Sequence, residues 1–206
     1  MEKESLKFGH TIYLVSDEPY RKIVYDGVAT PGIFDIYHES IMATSFSKDL
    51  SLPGERIGYA AVNPNISEKE IITAGMILSN RILGFVNAPA LMQRAIPSFL
   101  NASIDISLYQ RNRDILFEAL TGFGYKLIKP LGAFYLFPET HVEDDMEFVS
   151  MLKEENILTV PGSAFACPGH FRIAYCTSQN VVEKSLPGFE RAMQKAQCIR
   201  HKAQGK

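Results

Sequence analysis

The chain has 206 residues, 46% of them hydrophobic, enough to bury a sizeable core and long enough for one large or two small domains. A net charge of -2, with lysine and arginine spread thinly, leaves no nucleic-acid footprint, and no apolar run approaches a membrane span. The three cysteines, Cys167, Cys176 and Cys198, match no metal spacing and suit a reducing compartment; Cys167-Pro168-Gly169-His170 lacks the second ligand pair that a metal site needs.

The N-terminal residues Met1 to Lys7 are charged and have no apolar h-region, so neither a signal peptide nor a transit sequence is expected. They read as the tail of a helix closed by Gly9, feeding a strand from Thr11 to Ser16. Four consecutive apolar residues, Ile12-Tyr13-Leu14-Val15, predict a strand buried on both faces, as in a parallel sheet covered by helices. Functional groups in such sheets collect at the carboxyl ends of the strands, and Asp17 and Tyr20 occupy that end. Residues 21–40 read as connection, with Asp26-Gly27 a tight turn and Thr30-Pro31-Gly32 a loop.

The β-favouring run Ile41 to Thr44 leads into the stretch from Ser45 to Tyr59, and a second apolar run, Ile57 to Val62, leads out. Lys48 therefore lies just past a strand end. A lysine held there, near Arg56 and partly removed from water, would be available as an amine nucleophile. Ser45, Ser47 and Arg56 add hydroxyls and a guanidinium fork, groups that hold a phosphate. Asn63-Pro64-Asn65 is a loop, after which Ser67 and Glu70 have capping-box spacing at a helix start.

From Glu68 to about Phe123 the pattern is helical, punctuated by Pro89 and Pro97. A second, smaller lobe follows. Its predicted strands are Tyr125 to Ile128, Ala133 to Phe137, Ile157 to Val160 and Phe171 to Cys176, with helices near 144–155 and 179–198. In Phe171-Arg172-Ile173-Ala174-Tyr175 one face is apolar and Arg172 lies on the other. The basic tail from Arg200 to Lys206 follows a helix end, where positive charge complements the dipole. Taken singly, Lys48 also reads as a solvated lysine, Asp17 and Tyr20 as an N-cap and a turn tyrosine, and Arg172 as a water-facing arginine.

Together these stretches resemble one family. Ser45-Phe46-Ser47-Lys48, with Arg56 eight positions on and then Gly58-Tyr59, is similar to the lysine motif of the pyridoxal-phosphate aminotransferases of aspartate aminotransferase type, fold type I. Asp17-Glu18-Pro19-Tyr20 stands before it in the family's order, and Gly132 to Pro138, Val160 to Phe165 and Phe171 to Tyr175 resemble segments of the family's small domain.

The resemblance implies an α/β fold: residues 1–105 as the C-terminal part of a cofactor-binding large domain, with a mixed, mostly parallel sheet, and 106–206 as an α+β small domain. It implies pyridoxal 5'-phosphate as cofactor. Lys48 would bond it and move a proton between substrate and cofactor, Asp17 would pair with the pyridine nitrogen, Tyr20 with the phenolic oxygen, and Ser45, Ser47 and Arg56 with the phosphate. Arg172 would clamp the substrate carboxylate, and no residue is assigned to a metal. The implied reaction is transamination between an amino acid and a 2-oxo acid in a cytoplasmic homodimer, with no nucleic-acid or membrane partner. The same fold and lysine also serve β-lyases and decarboxylases.

Relatives of this type carry an upstream stretch with the glycine-rich phosphate loop, the ring-stacking aromatic and an asparagine. The expectation is thus a C-terminal portion, which by itself binds the cofactor weakly and does not transaminate, or a non-catalytic folded fragment whose partner would be the missing N-terminal half. Asn63 does not take that asparagine's role, since it lies in the wrong place.

Overall fold

The structure, a computed structural model, describes the backbone of residues 1–204 and the side chains of residues 1–199. The basic tail predicted from Arg200 onward lies outside the described side chains. The chain divides into two units, one ending at Ile104 and one beginning at Asp105.

The first unit opens with α1 (Glu2–Phe8), which stops at Gly9 because its φ of 69° is a left-handed conformation that glycine adopts without a Cβ penalty. Next come β1 (Leu14–Asp17), the short helix α2 (Ile33–Ile36), β2 (Ser40–Ser45) and the single helical turn α3 (Phe46–Asp49). A 3-10 turn at Pro53–Glu55 precedes β3 (Gly58–Val62), and the helices α4 (Lys69–Ile82) and α5 (Ala90–Ala95) complete the unit.

The three strands lie in the order β1-β2-β3, with β1 parallel to β2 and β3 antiparallel to it. The sheet is thus evenly mixed rather than mostly parallel. Predicted burial on both faces does not hold for β1: it starts at Leu14, stands at the sheet edge and alternates, with Val15 64% exposed. A strand loses water from both faces only where layers cover both.

At Asp26-Gly27 both residues have positive φ and the Val28 N–H reaches the Tyr25 carbonyl, the expected tight turn. The capping box does not form. Ser67 instead gives its hydroxyl and backbone N–H to the Glu39 carboxylate at 2.8 and 3.1 Å, a charged acceptor that outcompetes a neutral cap, and α4 begins without a side-chain cap. Asn63 is structural: buried, it donates to the Phe34 carbonyl at 3.1 Å and accepts from the Asn65 N–H at 3.0 Å.

The second unit holds α6 (Ile106–Gly122), β4 (Tyr135–Leu136), α7 (Asp145–Glu154), β5 (Val160–Pro161), β6 (Phe171–Ala174) and α8 (Gln179–Gln204). Both α6 and α7 start with an aspartate whose carboxylate accepts an N–H of the first turn, Asp105 from Ser107 and Asp144 from Met146. The sheet order is β4-β6-β5, antiparallel throughout, so β6 is central. The segment predicted as a strand from Tyr125 to Ile128 does not pair in this sheet. Its Tyr125 N–H closes the end of α6 on the Leu120 carbonyl, and its phenol reaches inward to the Phe189 carbonyl at 2.8 Å.

Tyr125 is the hub of this unit's core, meeting Phe148, Phe171 and Phe189 edge-on at centroid distances of 5.9–6.4 Å. Edge-to-face geometry adds roughly 0.5–1.5 kcal/mol per pair beyond area burial. Buried Asn112 ties α6 to the end of β6 by donating to the Tyr175 and Thr177 carbonyls at 3.0 and 2.8 Å. Among the described residues no helix is long and apolar enough to cross a membrane, and no cluster of metal-ligating side chains occurs.

Candidate active site

Parallel pairing of β1 with β2 sets Asp17 beside Ala43, so both strands end at the same edge of the sheet. The chain leaving β1 is laced to β2 there. The Glu18 N–H bonds the Ala43 carbonyl at 2.8 Å, and the Thr44 hydroxyl donates to the Glu18 carbonyl at 3.0 Å. The turn closes as the Ile23 N–H reaches the Tyr20 carbonyl, also at 2.8 Å. These bonds hold the Tyr20 backbone in a turn tied to the end of β2. There α3 begins, and the Lys48 ammonium lies 5.8 Å from the centre of the Tyr20 ring, within cation–π range. Two residues 28 positions apart in sequence meet because both follow the ends of adjacent parallel strands.

Lys48 is half-buried, and its turn is braced from behind. The neighbouring side chain, Asp49, is buried and pairs with Lys22 at 3.3 Å; the Lys22 ammonium also donates to the Leu100 carbonyl at 2.6 Å and the Ala102 carbonyl at 3.2 Å. The Ile104 N–H in turn reaches the Asp49 carbonyl at 2.8 Å. Sequence reading missed this brace. Its one local signal is the adjacency of Asp49 to Lys48, while Lys22 and residues 100–104 arrive only through the fold. Phe46, from the same turn, plugs into a core with Ile57 and Ile96, so α3 is anchored by an apolar side chain on one side and an ion pair on the other.

The other predicted residues fall as follows. Asp17 ends β1 with an exposed side chain and no hydrogen-bond or ion-pair partner among the described residues. Ser45 stands at the N-cap of α3 in an extended conformation, yet its hydroxyl makes no cap hydrogen bond. Ser47 lies half-buried in the same turn. Arg56 is exposed, takes a left-handed conformation with φ 50°, and donates to the Pro53 carbonyl at 2.7 Å. Gly58 then pairs with Ser45, and a Cβ there would run into the Thr44 carbonyl oxygen. Glycine is what lets β3 close on β2 beside the lysine turn.

Arg172 belongs to the second unit and is described within it. It sits on central strand β6 between buried Phe171 and Ile173, half-buried itself, opposite Val160 of β5. Its guanidinium carbon lies 4.6 Å from the centre of the Tyr135 ring and 4.2 Å from that of Phe165. Among the described residues the guanidinium has no hydrogen-bond or ion-pair partner. Sequence reading found the arginine but not the rings that hold it.

The model of the class I and II aminotransferase family matches residues 5–186. An aspartate/prephenate aminotransferase of Thermus thermophilus is 33% identical over 91% of this chain and 49% of its own length. The aspartate aminotransferase of Bacillus subtilis is 31% identical over 90% of this chain and 50% of its own length. Among solved structures, an amino transferase from Eubacterium rectale superposes with a TM-score of 0.90 at 42% identity, covering 95% of this chain and 49% of that one. The aspartate aminotransferase of Thermotoga maritima follows at 0.79 and 28%, covering 92% of this chain and 50% of that one. The chain spans about half the length of the curated relatives it matches.

Proposed function

The chain belongs to the class I and II aminotransferases and has their α/β, fold-type-I architecture, and from this we infer that the whole protein transfers an amino group between an amino acid and a 2-oxo acid. The observation that carries the reading is the meeting of Lys48 and Tyr20 at the shared carboxyl edge of β1 and β2, where β1 ends in Asp17, without a side-chain partner among the described residues.

The donor set fits pyridoxal 5'-phosphate. One amine, one phenol and one carboxylate complement its aldehyde, phenolic oxygen and pyridine nitrogen, and the Ser45 and Ser47 hydroxyls and Arg56 complement its phosphate. The idle Ser45 hydroxyl supports the fit, because an N-cap serine ordinarily spends its oxygen on its own helix. When bound, the cofactor supplies an electron sink for the bond broken at the substrate Cα.

The chain's own groups do the rest. Lys48 Nζ would hold the cofactor's aldehyde carbon and would carry a proton to and from the substrate Cα. The Asp17 carboxylate would pair with the pyridine nitrogen and keep a proton on it. Tyr20, its ring 5.8 Å from the Lys48 ammonium, would donate its O–H to the phenolic oxygen. Arg172 binds the carboxylate common to amino acid and 2-oxo acid through its planar fork. Residues 1–105 serve as cofactor domain and 106–206 as small domain of a cytoplasmic homodimer. The test is amino transfer from a panel of amino acids to 2-oxo acids by the whole protein. Lys48→Ala should abolish it with the thermal midpoint unchanged, since one half-buried side chain on a short turn is lost but no core volume. Near-normal turnover by that variant would overturn the assignment.

A further inference from the structure

Resting on the reading of Lys48 and Tyr20 as the pair that meets the cofactor, we propose that Lys22 is a positioning residue: paired with Asp49, it cross-links the turn that carries Tyr20 to the turn that carries Lys48 and so sets the spacing of the two.

The four residues alternate along the chain. Lys22 stands inside the turn that the Ile23 N–H closes on the Tyr20 carbonyl, two positions past Tyr20. Asp49 is the last residue of α3, one position past Lys48. Lys22 Nζ lies 3.3 Å from Asp49 Oδ2, and Lys48 Nζ lies 5.8 Å from the centre of the Tyr20 ring. One ion pair therefore bridges the same two turns that meet at the candidate site. A shift of either turn against the other stretches that pair.

A third segment locks the bridge. The Lys22 ammonium also donates to the Leu100 and Ala102 carbonyls at 2.6 and 3.2 Å, and the Ile104 N–H reaches the Asp49 carbonyl at 2.8 Å. Residues 100–104, with which the first unit ends, are thus tied to both turns. The oxygens of Asp49, Leu100 and Ala102 match the three donors of one ammonium. A lysine spent on three acceptors from two other segments does more than solvate a surface.

Stability does not account for the pair. Asp49 is buried, its Oδ1 has no hydrogen-bond partner among the described residues, and the Lys22 side chain remains 38% exposed. A buried carboxylate so incompletely satisfied contributes little net stability beside an apolar pair of similar size. What an ion pair supplies and a non-directional apolar contact does not is a fixed geometry. The geometry fixed here is the Tyr20-to-Lys48 spacing, and amino transfer depends on it, since misplacing a reacting group by about 1 Å can cost about a hundredfold in rate.

The experiment compares the whole protein with Lys22→Met and with the double variant Lys22→Met/Asp49→Leu, in which no buried charge is left unpaired. In both variants kcat for amino transfer should fall about tenfold, with KM for amino acid and 2-oxo acid held within about twofold because Arg172 is unaltered. Before cofactor is added, hydrogen exchange at the Ile104 amide should quicken about tenfold, which reads the brace independently of activity. The thermal midpoint should drop in Lys22→Met and return to the wild-type value in the double variant while kcat stays low, a split that separates positioning from stability. A kcat that recovers along with the midpoint in the double variant would overturn the proposal and mark the pair as structural. Unchanged kcat and exchange in Lys22→Met would overturn it as well. Lys48→Ala separates the two layers. If that variant turns over near normally, the underlying reading falls. If it is inactive while Lys22→Met keeps wild-type kcat, only the role of Lys22 falls.

Discussion

The Lys48 ammonium stands 5.8 Å from the centre of the Tyr20 ring, and both turns are tied down by residues distant in sequence. Tyr20 is placed by the two hydrogen bonds that tie Glu18 to β2, and Lys48 by the Asp49–Lys22 pair and the burial of Phe46. The relationship therefore depends on the sheet, and substitutions can probe it separately from the chemistry.

Tyr20→Phe keeps the ring beside Lys48 and removes only the hydroxyl. The ring contact and the fold should persist, while kcat/KM for amino transfer drops about tenfold or more, the scale of one positioned donor to a reacting system. Stopped-flow and steady-state kinetics with the thermal midpoint as control check this. Unchanged kcat/KM would mean that the phenol takes no part.

Gly58→Ala should weaken the first unit at the lysine turn. A Cβ at position 58 would strike the Thr44 carbonyl oxygen and approach Ser45 Cα to 3.0 Å, and both belong to the backbone of β2. Forcing the strands apart costs about 1–3 kcal/mol. A shift of the urea midpoint to lower concentration is expected, and an unchanged midpoint would show that β3 gives way freely.

Much of this architecture was legible in the sequence, for identifiable reasons. Gly9 marked a helix end because a left-handed residue is needed there. The turn at Asp26-Gly27, the strand ends before Lys48 and the periodic helices α6 and α7 were written in residues a few positions apart. What was not legible depends on distant partners. The Glu39 carboxylate that replaces the Ser67 cap comes from another segment, and the exposed face of Val15 follows from which layers cover β1. β4 and β5 are two residues each, too short for an alternating pattern to bound them. At the candidate site, Arg172 was visible on its strand, whereas Phe165 reaches it only through the turn that follows β5.

The second unit should lose stability in alkali through Tyr125. Burial pushes this phenol well above the usual tyrosine value, and its hydroxyl donates to the Phe189 carbonyl at 2.8 Å. The folded state thus favours the protonated form. That contribution is fully present below the unfolded tyrosine value of about 10 and is lost as pH rises above it toward the folded value. Tyr125→Phe should cost about 1 kcal/mol at neutral pH by deleting one hydrogen bond, and should flatten the decline of the thermal midpoint above about pH 10. An equally steep decline in both proteins would assign the alkaline sensitivity elsewhere.

The 206-residue chain expressed by itself should self-associate. Helix α4 contains no buried residue, and Ile71, Ile77, Leu78 and Ile82 on it, with Leu83 and Phe85 beyond it, are all exposed. Exposed apolar side chains gathered on one segment favour association. Sedimentation velocity should reveal concentration-dependent species that recede when Ile71 and Ile82 are both changed to lysine. A monodisperse monomer at high concentration would contradict it.

The most direct test of the central claim is chemical mapping of the lysine that takes up pyridoxal 5'-phosphate. The whole protein is incubated with the cofactor, reduced with borohydride and digested, and the modified peptide is identified by mass spectrometry. One stoichiometric label is expected, on Lys48 in the peptide containing Ser45 to Asp49, and it should be lost in Lys48→Ala. A label spread over several exposed lysines, or one retained at full stoichiometry in Lys48→Ala, would mean that Lys48 is not the cofactor's lysine.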